Sequence, residues 1–226
     1  MTKEALLLTI AVLGGTGKEG KGLAYRWAKA GYRVLIGSRS SEKAVTVASE
    51  IMELLEGSSS VVGATNLEAA EQADIVVLTV PYSAHRDTLE SVKVALKGKL
   101  LVDVTVPLVP PKLSKVQMPA AGSAAQEAKA IVGDDVEVAA AFQNVSHEHL
   151  LGEEAIECDV LVTGTSKKAR TEVLTLVEAT GLTGWDAGPI ENSVVVEGLT
   201  SVLININKLH GSKHAGIKIT GAPRNL

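Results

Sequence analysis

Residues 6–20 read LLLTIAVLGGTGKEG, an apolar run that stops at a cluster of four glycines. The run is continuous rather than alternating, which predicts a strand buried on both faces, as in a parallel sheet covered by helices. Gly15-Thr16-Gly17-Lys18-Glu19-Gly20 is a Gly-x-Gly-x-x-Gly between this strand, Leu6 to Leu13, and a helix expected over Gly20 to Ala30. In that position each glycine has a distinct role. Gly15 permits the tight turn, Gly17 lets a pyrophosphate approach the backbone, and Gly20 lets the helix lie close to the strand. The helix start offers unpaired N–H groups and the positive end of its dipole to the phosphates. The run ends in this loop rather than in a small-residue cleavage site, so it reads as a buried strand and not as a signal peptide.

Working outward, the second strand, Tyr32 to Ile36, is followed by Gly37-Ser38-Arg39, with Lys43 one helical turn further on. A site for NAD places an acidic residue here to bind the ribose hydroxyls. A carboxylate would repel a 2′-phosphate, whereas Ser38, Arg39 and Lys43 donate to one. The expected dinucleotide is therefore NADP(H).

The rest of the chain keeps the alternation. Helices are expected from Ser40/Ser41 to about Glu56, over Leu67–Gln72 with Asn66 as cap, and over Ala84–Leu96, Ala120–Val132 and Ser166–Thr180. Strands are expected at Val61–Ala64, Ile75–Val80, Leu100–Val106, Val136–Phe142, Val160–Thr163 and near Trp185. This βαβ pattern predicts an α/β fold with a Rossmann-type, doubly wound, mainly parallel sheet. We expect an NADP-binding domain over residues 1–146 and a small C-terminal α/β lobe over 147–226. Ligands of such sheets lie beyond the carboxyl ends of the strands, which brings Val80-Pro81 and Val106-Pro107 to the nicotinamide side. Tyr82 either packs against the ring or plugs the loop, and His85 reads as the start of a helix.

Asn192 to His210 is expected as a last long helix, apolar on nearly every side through Val194, Val195, Val196, Leu199, Val202, Leu203, Ile204 and Ile206. Such a helix must be buried, within the chain or against a second subunit. Past Glu197 the chain has no acidic residue but carries Lys208, Lys213, Lys218 and Arg224. A cationic end on an acidic protein is a candidate seat for an anionic second ligand.

Composition narrows the function classes. With 226 residues, 46% of them hydrophobic, the chain can fill a core, and disorder is excluded. A net charge of −4 and only 3% aromatics argue against a nucleic-acid partner. No stretch approaches the roughly 20 apolar residues of a membrane span, so none is expected. The single Cys158 cannot form an intrachain disulfide and fits a cytoplasmic protein. With no basic neighbour in sequence it reads as a packing residue. Ser146-His147-Glu148-His149 hints at a metal, but three ligands on suitable elements are lacking, and we expect a solvated loop and no metal site.

Taken together, Leu13-Gly14-Gly15-Thr16-Gly17, Gly20-Lys21-Gly22-Leu23-Ala24, Gly37-Ser38-Arg39 and Glu42-Lys43-Ala44 resemble the coenzyme F₄₂₀-dependent NADP reductases. The likeness continues through Asp186-Ala187-Gly188-Pro189, Glu197, Leu199-Thr200 and Gly216-Ile217-Lys218. It implies NADP on the N-terminal domain and a deazaflavin, F₄₂₀, stacked on the nicotinamide at the junction with the C-terminal lobe. It also implies a homo-oligomer, most often a homodimer. By position it puts Thr16, Gly17, Lys18 and Glu19 at the pyrophosphate and Ser38, Arg39 and Lys43 at the 2′-phosphate. Val80 and Val106 would flank the nicotinamide, and Ala215 would lie near the deazaflavin. Where archaeal members carry His, Arg and Ser near the deazaflavin, this chain has Gln143, Val194 and Gly198, while Thr200 is kept. Gln143 and Thr200 are the candidates for hydrogen bonding to the deazaflavin ring.

The expected activity is reversible hydride transfer between NADP(H) and F₄₂₀. That chemistry resides in the two cofactors, and the sequence offers no evident general acid. Two other readings stand beside it: an NADP-dependent imine or carbonyl reductase of the pyrroline-carboxylate reductase type, and an NADP(H)-binding redox sensor without turnover.

Overall fold

The structure, a computed structural model, describes residues 8–57, 60–152 and 155–223. Leu6 and Leu7 of the expected first strand, Ser58 and Ser59 between the expected second helix and third strand, and Arg224 lie outside the described residues. The first half alternates strictly: β1 (Thr9–Leu13), α1 (Lys18–Lys29), β2 (Arg33–Ser38), α2 (Ser41–Leu54), β3 (Val61–Thr65), α3 (Asn66–Gln72), β4 (Ile75–Leu78) and α4 (Tyr82–Val92). After it come β5 (Leu100–Asp103), α5 (Ala124–Val132), β6 (Glu137–Ala140), β7 (Asp159–Gly164), α6 (Lys167–Ala179), β8 (Thr183–Pro189) and α7 (Ser193–His210).

The strands form one sheet in the order β3-β2-β1-β4-β5-β6-β7-β8. All neighbours run parallel except β6 and β7. The first six strands have the Rossmann order, which reverses direction between β1 and β4 and opens a crevice there. β7 and β8 continue the same sheet, so the C-terminal strands share one backbone frame with the first six.

The continuous apolar run of β1 is explained by two covered faces. Ile10 and Val12 meet Leu23 and Trp27 of α1 and Ile51 of α2, in a layer that runs on to Val173 and Val177 of α6. Ala11 and Leu13 join the opposite layer, with Ala69 and Ala70 of α3, Leu89 of α4, and Ala125 and Ile131 of α5. Each large apolar side chain so buried contributes roughly 1.5–3 kcal/mol. Trp27 is fully buried, and its indole N–H donates to the Leu176 carbonyl at 2.9 Å. Edge-on contact with Phe142, at 5.8 Å between centroids, ties α1 to the chain beyond β6.

Several boundaries differ from expectation for local reasons. β4 and β5 end at Leu78 and Asp103, short of Val80 and Val106. Single further bonds from Thr79 N–H and Val104 N–H close the ladder before Pro81 and Pro107, which have no N–H to give. The helix expected from Ala120 starts at Ala124, capped by the Ser123 hydroxyl. Asn66 does not cap α3. Thr65 does, in a capping box with Glu68, because the Asn66 amide oxygen turns back to accept the Gly14 N–H at 3.3 Å. α7 is buried on one side only. Val196, Leu203 and the small Ser193, Gly198 and Ser201 face inward, while Val195 is 70% exposed and Val202, Ile206 and Leu209 are also open. A helix at the margin of a single chain has neighbours on one side, and the remaining apolar stripe is left uncovered.

Candidate active site

β1 delivers the chain to the crevice at Gly14, whose φ of +74° is the left-handed turn that glycine adopts without strain. A Cβ there would lie 2.6 Å from Val80. The Gly15 N–H is pinned by the carbonyls of Val12 and Gly37, at 3.1 and 3.0 Å. A Cβ on Gly20 would collide with the Thr79 hydroxyl and sit 2.8 Å from Gly15 Cα, so α1 and the loop meet backbone to backbone. Gly17 is different: its added Cβ would meet only the Gly14 carbonyl, at 3.4 Å, on an otherwise open side. It is also the cap of α1 and has no side chain to satisfy the first N–H groups, which stay available to an anion.

Two clefts meet at this loop. The first, about 290 Å³, is lined by Thr16, Ser38, Arg39, Lys43 and Asn66. The second, about 560 Å³, is walled by Lys18 and Glu19 of α1, Val104 to Val106 after β5, Phe142, Gln143, Val145 and His147 after β6, and Thr200 of α7. Gly17, Thr79, Val80 and Pro81 belong to both. A ligand held at Gly17 would reach into either side. A third cavity of about 550 Å³, near Tyr32, Asp74 and Lys99, opens at the amino ends of the strands, away from the glycine loop. Open α/β sheets bind ligands at the other end.

The second cleft has an unusual lining. Among the described residues, five buried side-chain polar atoms lack a hydrogen-bond partner. Four of them, Glu19 Oε1, Thr105 Oγ1, Gln143 Oε1 and His147 Nε2, belong to residues of this cleft. Leaving such a group unsatisfied costs about 1–3 kcal/mol, so a concentration of four marks a place built for a polar ligand. Burial pushes the Glu19 carboxyl up to about 8. The α1 dipole acts in the opposite sense, but even at the roughly 2 kcal/mol of a partly buried geometry it offsets about 1.5 pKa units, less than the rise from burial.

The cleft wall is fixed from behind by buried polar contacts. His85 Nε2 lies 2.8 Å from Asp103 Oδ2, with both side chains at most 1% exposed. Asp103 Oδ1 accepts the Thr105 N–H at 3.0 Å, and the Asp103 carbonyl accepts the Gln143 amide at 2.8 Å. Gln143 is thereby held by its nitrogen, with its oxygen left over. Thr200 donates to the Gln143 carbonyl and accepts from Asn144, which makes its hydroxyl a brace for this segment. Tyr82 donates to Glu127 Oε2 at 2.8 Å, and burial beside that carboxylate pushes its phenol up to about 12. Glu197 accepts the N–H groups of Ala124 and Ala125 at the start of α5. Its carboxyl is nevertheless raised to about 8 by burial.

The sequence-derived residues thus fall into three groups. Thr16, Gly17, Ser38, Arg39 and Lys43 come together in the first cleft, and Lys18, Glu19, Val80, Pro81, Val106, Gln143 and Thr200 in the second. Gly15 and Gly20 are buried beneath the loop and shape it. Ala215 is not brought to either cleft. It donates its N–H to Asn207 Oδ1, on a tail that crosses Cys158 so closely that a Cβ on Gly216 would lie 2.8 Å from the sulfur. Cys158 is buried, and burial raises its thiol. His149 packs on His214 at 4.4 Å between centroids. Among the described residues no group of three His, Cys, Asp or Glu is placed to hold a metal ion, and no helix is long and apolar enough to cross a membrane.

Sequence reasoning did not single out Asp103, read Thr105 only as part of the strand Leu100–Val106, and gave Asn66, His85 and His147 other roles: a helix cap, the start of a helix and a solvated loop. Asp103 carried a signal, a lone carboxylate inside the apolar run LLVDVTV, but its partner His85 lies 18 residues away on another element.

Comparison with known proteins agrees with this geometry. A family model described as NADP oxidoreductase, coenzyme F₄₂₀-dependent, matches residues 9–107. An F₄₂₀-dependent NADP reductase of Methanothermobacter marburgensis is 42% identical over 223 residues, spanning 96% of this chain and all of that one. The F₄₂₀-dependent NADP reductase of Methanocaldococcus jannaschii is 36% identical, spanning 94% and 98%. A crystal structure from Arthrobacter sp. FB24, described as a candidate F₄₂₀-dependent NADP reductase, superposes with a TM-score of 0.77 at 25% identity over 95% of this chain and 100% of that one. With its glycine loop, its paired clefts and relatives matched nearly end to end, this chain belongs to the coenzyme F₄₂₀-dependent NADP reductase family.

Proposed function

We propose that the protein transfers a hydride between C4 of NADP(H) and C5 of the deazaflavin F₄₂₀, with the nucleotide lying across both clefts. The observation that carries this reading is the continuity of the clefts over Gly17, with four residues of the second cleft each holding a buried polar atom that lacks a hydrogen-bond partner among the described residues. The pyrophosphate rests on the Gly17 end of α1, and the 2′-phosphate meets Ser38, Arg39 and Lys43. The nicotinamide turns into the second cleft beside Val80 and Val106.

The hydride chemistry belongs to the two cofactors, and the protein contributes position and dryness. Apolar Val80, Pro81, Val104, Val106 and Val145 exclude water around the reacting carbons. Gln143, fixed through its nitrogen by Asp103, would have its amide oxygen free to accept from a ring N–H group, and Thr105 and His147 would offer further polar contacts. Holding two rings face to face in this way is the source of the high effective molarity of intramolecular reactions. The division at residue 146 then has a functional sense: residues 1–146 carry NADP, and residues 147–226 complete the deazaflavin side. The tail does not line either cleft, but Ser146, beside the cleft residue His147, donates to the Lys213 carbonyl. From there Lys213 and Lys218 would offset the phosphodiester and glutamate charges of a bound deazaflavin.

The exposed stripe of α7 supports a homodimer, in which Val195, Val202, Ile206 and Leu209 are covered by a second copy. Mixing the purified protein with NADPH and oxidised F₄₂₀ tests the activity. Bleaching of the deazaflavin with matching formation of NADP⁺ is expected. Consumption of NADPH only when an imine is supplied, or binding without consumption, would overturn the reading.

A further inference from the structure

We propose that Glu19 is the proton site of the hydride-transfer cleft, protonated opposite NADPH and ionised opposite the cationic nicotinamide of NADP⁺. The proposal rests on the placement of the nicotinamide in the second cleft. Its own basis is the position and isolation of one side chain.

Glu19 is the second residue of α1, two positions beyond Gly17, and among the described residues is the only carboxylate lining the second cleft. Glu19 shares the second cleft with Gly17, Val80 and Val106, so a dinucleotide that enters this cleft from Gly17 shares its lining with Glu19. Glu19 Oε1 is shielded from solvent and has no hydrogen-bond partner among the described residues. The other titratable groups of this cleft do not neutralise it. Lys18 precedes it at the exposed surface of α1. Tyr82 is committed to Glu127. His147, on the turn His147–His149 packed against α1, has an unpartnered Nε2, with Glu148 Oε1 3.5 Å away. His149 of the same turn faces His214.

In the ligand-free protein the Glu19 carboxyl titrates near 8, raised by burial alone. A neutral dihydronicotinamide adds no charge beside the carboxyl, so the proton stays. A nicotinamidium ring adds a positive charge to a site of low dielectric, where opposite charges attract strongly, and favours the carboxylate.

The reaction then balances within the cleft. NADPH, oxidised deazaflavin and protonated Glu19 become NADP⁺, reduced deazaflavin and Glu19 carboxylate. The hydride leaves C4 with its two electrons and bonds to C5. The ring nitrogen that receives the displaced electron pair takes up one proton, and Glu19 releases one. No net charge is created in the buried cleft, and no other oxidant or reductant is needed.

The test is binding rather than turnover. A carboxyl whose pKa falls when NADP⁺ binds makes binding tighter as pH rises. Between pH 7 and pH 9 the wild-type Kd for NADP⁺ is expected to fall about tenfold, while the Kd for NADPH does not fall. Calorimetry at pH 7 in buffers of different ionisation enthalpy should show close to one proton released per NADP⁺ bound, and none per NADPH. Glu19→Gln should abolish both the slope and the release, and Glu19→Asp should keep them. Wild-type NADP⁺ binding that is flat over this range, or a slope that survives in Glu19→Gln, overturns the proposal and leaves the nucleotide site intact. Failure to bind NADP⁺ at all would instead overturn the reading on which it rests.

Discussion

Gly17→Ala separates ligand approach from folding at the glycine loop. The backbone of Gly17, at φ −75° and ψ 161°, is open to alanine, and the added methyl meets only the Gly14 carbonyl at 3.4 Å. The expected folding cost is the difference between Gly and Ala as a helix cap, about 1 kcal/mol or less. For a chain of this size that lowers Tm by about 2–4 °C. The same methyl stands where the pyrophosphate approaches the first N–H groups of α1. Losing one charge-assisted hydrogen bond there costs about 1.5–3 kcal/mol, or roughly a 10- to 100-fold weaker Kd for NADPH. Gly20→Ala is the control, because its Cβ runs into Thr79 and Gly15, so stability should fall first. Thermal unfolding and NADPH titration of both variants decide the matter. A Gly17→Ala protein that keeps wild-type NADPH affinity refutes the account of the loop, as does one that loses stability as heavily as Gly20→Ala.

Arg39→Ala should weaken NADPH roughly 10- to 100-fold and leave NADH nearly unchanged; equal losses would show Arg39 to be structural. Val195→Asp together with Ile206→Asp puts charge on the open stripe of α7, and light scattering should report a monomer in place of a dimer; an unchanged mass refutes that interface. Neutralising Lys213 and Lys218 together should raise the deazaflavin KM and flatten its salt dependence, since exposed charges are screened within a Debye length of about 8 Å. Turnover at saturation and the NADPH KM should hold, and a rise in the NADPH KM instead would place the tail at the nucleotide.

What was legible in the sequence was local. The strand, glycine loop and helix over residues 9–29 are contiguous, and the character of Gly37-Ser38-Arg39 is set by its place at the end of β2. The contacts that fix the cleft join distant positions. Asn66 reaches Gly14 across 52 residues, and Gln143 reaches Asp103 across 40. No periodicity encodes such pairs. Glu19 was visible as a residue of the motif but not as a buried acid, because an acidic residue in a first helical turn is common and favourable on the surface. Its isolation appears only once the His147–His149 turn packs on α1 and Phe142 and Gln143 close the same cleft. Helix α7 shows the converse: apolar positions on every side signalled burial, but composition cannot say which side this chain covers by itself.

The central claim is hydride transfer between the two cofactors, and the label itself can be followed. NADPH carrying deuterium at C4, mixed with the protein and oxidised F₄₂₀, should pass deuterium to C5 of the reduced deazaflavin, detected by mass spectrometry and NMR. With both C4 hydrogens of NADPH replaced, one deuterium stays in NADP⁺ and one moves; reduced F₄₂₀ without deuterium at C5, or deuterium released to water while F₄₂₀ remains oxidised, would contradict the account.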